Sequence, residues 1–215
     1  MTKLSCISAR PRGIPVGQRS FSSARQAHGF SLVEVLISII ILSFGMLGMV
    51  GLQASALQAN REARQQSIAS GLAGELAEMM RNNKDIGLLT TANPYLGAFT
   101  SPLTPATASY CLNVATGTAA CANAGAIADA QMTEWLTRVD NALAGARVVV
   151  CADSAPYDAN GLPQWACDTT GTGVTTVIKI GWTRGATNRA ATGAAAFDLA
   201  TRPSIVLPIT PGNTV

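Results

Sequence analysis

A single carboxylate, Glu34, interrupts an otherwise uncharged apolar run from Phe30 to about Leu52. A carboxylate near the start of a membrane helix costs roughly 2 kcal/mol or more on insertion scales, so a partner that neutralises it is expected. Other groups able to do chemistry lie far downstream. Asp153, Asp158 and Asp168 could serve a hydrolase as paired carboxylates. They lie among Pro, Gly and Asn, however, where Asp is first of all a turn residue. Trp135, Trp165 and Trp182 could stack sugars. Trp135 and Trp182 fall on predicted apolar faces and belong to a core, which leaves Trp165 as the candidate exposed contact.

The charge distribution says how Glu34 is delivered. Of 15 basic residues in the chain, Lys3, Arg10, Arg12, Arg19 and Arg25 precede Phe30, with no acid among them. The remaining 10 basic residues face all 12 acids, so the net charge of +3 becomes −2 without the first 29 residues. A mildly acidic remainder gives no reason to expect nucleic acid as a partner. An Arg-rich segment before an apolar run fits the positive-inside rule: residues 1–29 are expected to be a cytoplasmic leader and the rest to cross the membrane. The sole histidine, His28, lies in that leader. Once the leader is removed, Ser-His-Asp and Cys-His catalysis and His-ligated metals are excluded.

Cysteine usage agrees with export. Cys6 lies in the leader, and Cys111, Cys121, Cys151 and Cys167 remain. An even number in an exported domain reads as two disulfides with three pairings open. The sequence-local pairing, Cys111 with Cys121 and Cys151 with Cys167, is favoured because each closes a loop rich in Gly, Ala or Asp. Zinc is the weaker reading: no C-x-x-C spacing and no downstream His exist. No metal and no cofactor are expected.

These groups must be positioned by a long helix and a small domain. Residues 30–52 are long enough to span a bilayer core of about 30 Å. Ile68, Leu72, Leu76 and Met79/Met80 then form one stripe of an amphipathic helix over 53–83, with Arg81-Asn82-Asn83 as its stop. A continuous helix of that extent would be roughly 80 Å long at 1.5 Å per residue, so its first half must find partners in lipid or in other subunits. Gly45, Gly48 and Gly51 fit close helix approach, local weakness, or the ordinary glycine content of membrane helices. Residues 87–110 carry Pro94, Pro102 and Pro105 and read as loop. A helix is predicted over 127–143, ended by Gly145, and strands over 147–151 and 174–182. In the second strand Thr175 and Lys179 are expected to face water. Segments 197–199 and 204–207 add strands, with Pro203 and Pro208 favouring edge positions. Residues 84–215 therefore read as an α+β domain with helices on one face of a small antiparallel sheet.

The run Gly29-Phe30-Ser31-Leu32-Val33-Glu34-Val35-Leu36-Ile37 resembles a prepilin peptidase site followed by a pilin N-terminal helix. The helix end Ala69-Ser70-Gly71-Leu72-Ala73-Gly74-Glu75-Leu76-Ala77-Glu78-Met79-Met80-Arg81-Asn82-Asn83 is similar to the PilV family of minor pilins. So are the acidic, Trp-bearing helix over 129–143 and the segment Ile178-Lys179-Ile180-Gly181-Trp182. The resemblance covers 30–83 well and 127–182 loosely. It implies a type IV pilin-like fold and a non-enzymatic structural subunit. It further implies cleavage between Gly29 and Phe30 by a membrane prepilin peptidase, N-methylation of Phe30, and pairing of Glu34 with the Phe30 amine of a neighbouring subunit. The implied partners are that peptidase, other minor pilins, the major pilin, inner-membrane lipid before assembly, and a tip adhesin. The implied location is the inner membrane, single-pass, with the C-terminal domain periplasmic, then the pilus at the cell surface; the implied roles are pilus assembly, twitching motility and attachment. Major pilins usually carry a helix proline where Gly51 stands here, which points to a minor subunit. Two alternatives stand beside this reading. One is a minor pseudopilin of a type II secretion system. The other is an ordinary secreted protein cut at Ala54-Ser55-Ala56, against which stand the length of the apolar run and Glu34 within it.

Overall fold

The computed structural model describes residues 29–113, 119–186 and 192–212. Residues 1–28, with His28 and Cys6, lie outside them. The chain divides into two compact units, Met1–Val50 and Gly51–Val215.

In the first unit, residues 32–50 begin helix α1 (Leu32–Asn82) and are exposed throughout. Val33, Val35, Ile37 and Ile39-Ile40-Ile41 are poor helix formers in water. An apolar medium changes the balance, because a helix is the one local structure that satisfies every backbone N–H and C=O within a single segment. The best stretch of α1 has a mean hydropathy of 2.5. By length and composition it is able to cross a membrane.

In the second unit, the rest of α1 presents Ala69, Ala73, Leu76, Ala77 and Met80 as a buried stripe. The alanines let the helix lie close to its neighbours, while Leu76 and Met80 fill the space between. As expected, α1 ends at Asn82, and the one-turn helix α2 (Lys84–Gly87) follows. Helix α3 (Ala124–Ala142) begins at Asn123, whose side chain accepts the Ala126 N–H at 2.9 Å. This cap satisfies one of the four free donors of the first turn. The Trp135 indole N–H donates to the Leu72 carbonyl at 2.8 Å and so ties α3 to α1.

Strands β1 (Gly97–Thr100), β2 (Arg147–Asp153), β3 (Thr175–Gly181) and β6 (Ile205–Ile209) form an antiparallel sheet in the order β1-β2-β3-β6. Strands β4 (Arg184–Gly185) and β5 (Phe197–Asp198) pair separately. Register places Phe99, Val148, Ile180 and Ile205 in one row, and Val150, Ile178 and Leu207 in another. Both rows face the helices and join Leu76, Met80, Met132, Trp135, Leu136 and Val139 in the core. Pro208 sits in β6, an edge strand, where no inward N–H is required of it.

Two expectations are corrected. The segment 87–110 is not all loop, because it contains β1. That strand is only four residues long and begins with Gly-Ala, so its sequence carries no apolar/polar alternation, although its burial alternates. Lys179 does not face water: it is fully buried. Val149, Val177 and Lys179 share the sheet face opposite the helices, and the chain after β2 covers that face.

Candidate processing and assembly site

The N-terminal site is built by the first turn of α1. Ser31 precedes the helix, and its carbonyl accepts the N–H groups of Glu34 at 3.0 Å and Val35 at 3.2 Å. Phe30 lies just before it and is 82% exposed. Glu34 occupies the first helical turn, where the helix dipole favours a carboxylate by about 0.3–1 kcal/mol. Phe30, Glu34, Ser38 and Leu42 recur every four residues and line one shallow groove with Val35 and Ile39. Within that groove the Ser38 hydroxyl donates to the Glu34 carbonyl at 2.7 Å. One turn further, the Ser43 hydroxyl donates to the Ile39 carbonyl at 2.7 Å. Both hydroxyls are thus satisfied inside the helix, as an apolar surrounding demands.

Glu34 is not. It is the one charged residue between Gly29 and Val50, and it forms no ion pair among the described residues. Among the described residues, nothing stands within 4 Å of where a Gly29 side chain would be, and Phe30 is exposed. The arrangement suits two events: peptide cleavage before Phe30, and capture of a cation by Glu34 in a low-dielectric surrounding.

Residues 24–50 match the family described as Prokaryotic N-terminal methylation motif. The match takes in Gly29, Phe30 and Glu34 and stops where the first compact unit stops. It supports a type IV pilin-like protein, pilin or pseudopilin, of a family that is structural rather than enzymatic. This methylation motif implies processing by a prepilin peptidase and assembly with other pilins. Together with the apolar helix that carries it, it points to membrane anchoring. No curated protein and no solved structure matches the chain.

The remaining candidate residues lie in the second unit. Disulfides join Cys111 to Cys121 and Cys151 to Cys167. The second ties β2 to the segment that covers the outer face of the sheet. Beneath that segment, the Lys179 ammonium lies 2.6 Å from the Asp153 carboxylate, both fully buried. Lys179 also donates to the Ala166 carbonyl at 2.6 Å. Asp153 accepts the N–H groups of Ala155 at 2.9 Å and Asp168 at 3.0 Å. Burial pushes the Asp153 carboxyl up, but the hydrogen bond from Lys179 and those two N–H groups outweigh it and leave it below the ordinary carboxylate range. Cys151, Asp153 and Cys167 bring their ligand atoms within 4.8 Å of one another. With the sulfurs bonded together and the carboxylate held by Lys179, this donor set does not fit a metal.

Asp158 and Asp168 shape turns. Asp158 accepts from Leu162 and Asn160 N–H groups and pairs with Arg202 at 2.8 Å. Its carboxyl is held low, first by the Leu162 N–H. Asp168 is held low by the hydroxyl and N–H of Thr170. Trp165 is partly buried: Arg147 stacks 4.5 Å from its ring centre, and its indole N–H donates to the Ala200 carbonyl at 3.0 Å. Trp135 and Trp182 are in the core, as expected.

Proposed function

We propose that the chain is a minor pilin of a type IV pilus, similar to the PilV family, that takes part in starting and assembling the fibre at its tip. The observation that carries this is Glu34, a carboxylate with no ion-pair partner among the described residues, four residues after Phe30 in a methylation motif. Prepilin peptidase cuts between Gly29 and Phe30, and Phe30 is N-methylated. Before assembly the helix over 30–52 is held in the inner membrane, with the leader cytoplasmic and the remainder periplasmic. On assembly, the Phe30 ammonium of a neighbouring subunit meets Glu34. Each group then removes the other's desolvation penalty, which is several kcal/mol for a lone buried ion. The similarity of 69–83 to the PilV helix end supports the pilus reading, with twitching and attachment as the consequences.

The test replaces Glu34 by Ala in the native host. Processing is expected to remain complete, while the protein disappears from sheared pili and stays in the membrane fraction. Normal incorporation of the variant would sink the pairing mechanism. A deletion strain that keeps its pili but loses protein secretion would move the chain to a type II secretion system.

A further inference from the structure

Strand β1 is an edge of the sheet, and among the described residues no strand pairs with its outer side. The Ser101 N–H donates to the Ala146 carbonyl and extends the β1–β2 ladder, so Gly97, Phe99 and Ser101 turn their backbone groups toward β2. By alternation, Ala98 and Thr100 turn theirs outward. Both residues are exposed, and among the described residues nothing bonds to these outward groups. Exposed edges are usually blunted by Lys, Pro, a bulge or a covering segment. Ala98 and Thr100 supply none of these. Ala98 itself lines a groove of about 590 Å³, together with Leu96, Phe99, Pro94, Pro105 and Asp129 of α3. Gly97 gives Phe99 its place, since a side chain at 97 would lie 2.7 Å from the Phe99 ring. Asp129 has no ion-pair partner among the described residues, and burial raises its carboxyl pKa.

We propose that this edge and groove bind an extended segment of another polypeptide that carries a Lys or Arg. Its backbone pairs with Ala98 and Thr100, an apolar side chain enters over Phe99, and its cation meets Asp129. The unpaired backbone groups require an extended occupant, and the lone carboxylate sets the sign of its charge.

The test pans a random dodecapeptide display library against the full chain in detergent micelles, a readout independent of cleavage at Gly29. Enriched peptides are expected to place a Lys or Arg beside alternating apolar residues and to slow amide exchange at Ala98 and Thr100. Asp129→Asn is expected to weaken them about tenfold. The proposal is overturned by no enrichment above a bare support, by enriched peptides without basic residues, or by unchanged exchange at Ala98 and Thr100. If Asp129→Asn unfolds the domain, N-methylation of alternate peptide amides decides: loss of binding is expected, and undiminished binding overturns the proposal.

Discussion

Lys179 and Asp153 show how one chain handles charge away from water in two ways. Inside the domain the two charges answer each other at 2.6 Å. In the N-terminal helix, Glu34 has no such answer among the described residues, and the proposed assembly supplies one from a neighbour. Removing one member of the buried pair strands the other, so Asp153→Ala is expected to lower the unfolding free energy by about 3–5 kcal/mol in denaturant titrations. Asp153→Leu combined with Lys179→Met is expected to recover most of that loss. The folded carboxyl of Asp153 titrates below its unfolded value of about 3.9. Its contribution is therefore present above that value and fades as pH falls through the folded one. Stability measured against pH should show that acid loss in the wild type and not in the double variant. The sequence showed Lys179 as the polar member of an alternating strand, a water-facing position. The corrective signal was in β2, where Val148-Val149-Val150-Cys151 is apolar at both parities. Such a run marks a strand covered on both faces, and register then places Lys179 opposite Val149 under the same cover.

At the scale of elements, the cover over the outer face depends on a disulfide, a stack and a close approach. Cys151 and Cys167 are 16 residues apart, a loop whose closure is worth about 3 kcal/mol in the chain-entropy model. Replacing both by Ala is expected to lower stability by that order and to raise iodide quenching of Trp165 fluorescence. A side chain at Gly181 would lie 2.9 Å from the Trp165 ring and 3.0 Å from the Arg202 carbonyl. Gly181→Ala is thus expected to cost about 1–3 kcal/mol as overpacking, read by the shift in denaturant midpoint. The long elements were legible because their periodicity is long: the Leu72/Leu76/Met80 stripe located α1, and Trp135, Leu136 and Val139 located α3. Strand β1 was not, since four residues beginning Gly-Ala carry no period. Its pairing is decided by β2, 47 positions on from Thr100 at Arg147.

At the scale of the molecule, the two compact units answer to different surroundings. Residues 32–50 expose apolar side chains around the whole helix, as a segment for lipid or other helices would. The unit Gly51–Val215 buries its apolar residues between helices and sheet and is stapled twice, as an exported domain would be. Residues 29–37 carried nearly all of the functional signal, because a methylation motif is recognised by particular residue types at fixed spacing. The globular part tolerates many sequences for one fold, so its partners were far less legible. The most direct test is the intact mass and N-terminal sequence of the protein purified from its native membrane. A chain beginning at N-methylated Phe30, about 3 kDa lighter than the full 22.1 kDa and with four cysteines oxidised, is the expected result. A chain beginning near Leu57 would contradict it: the apolar run would then be a discarded signal peptide, and Glu34 would have no part in assembly.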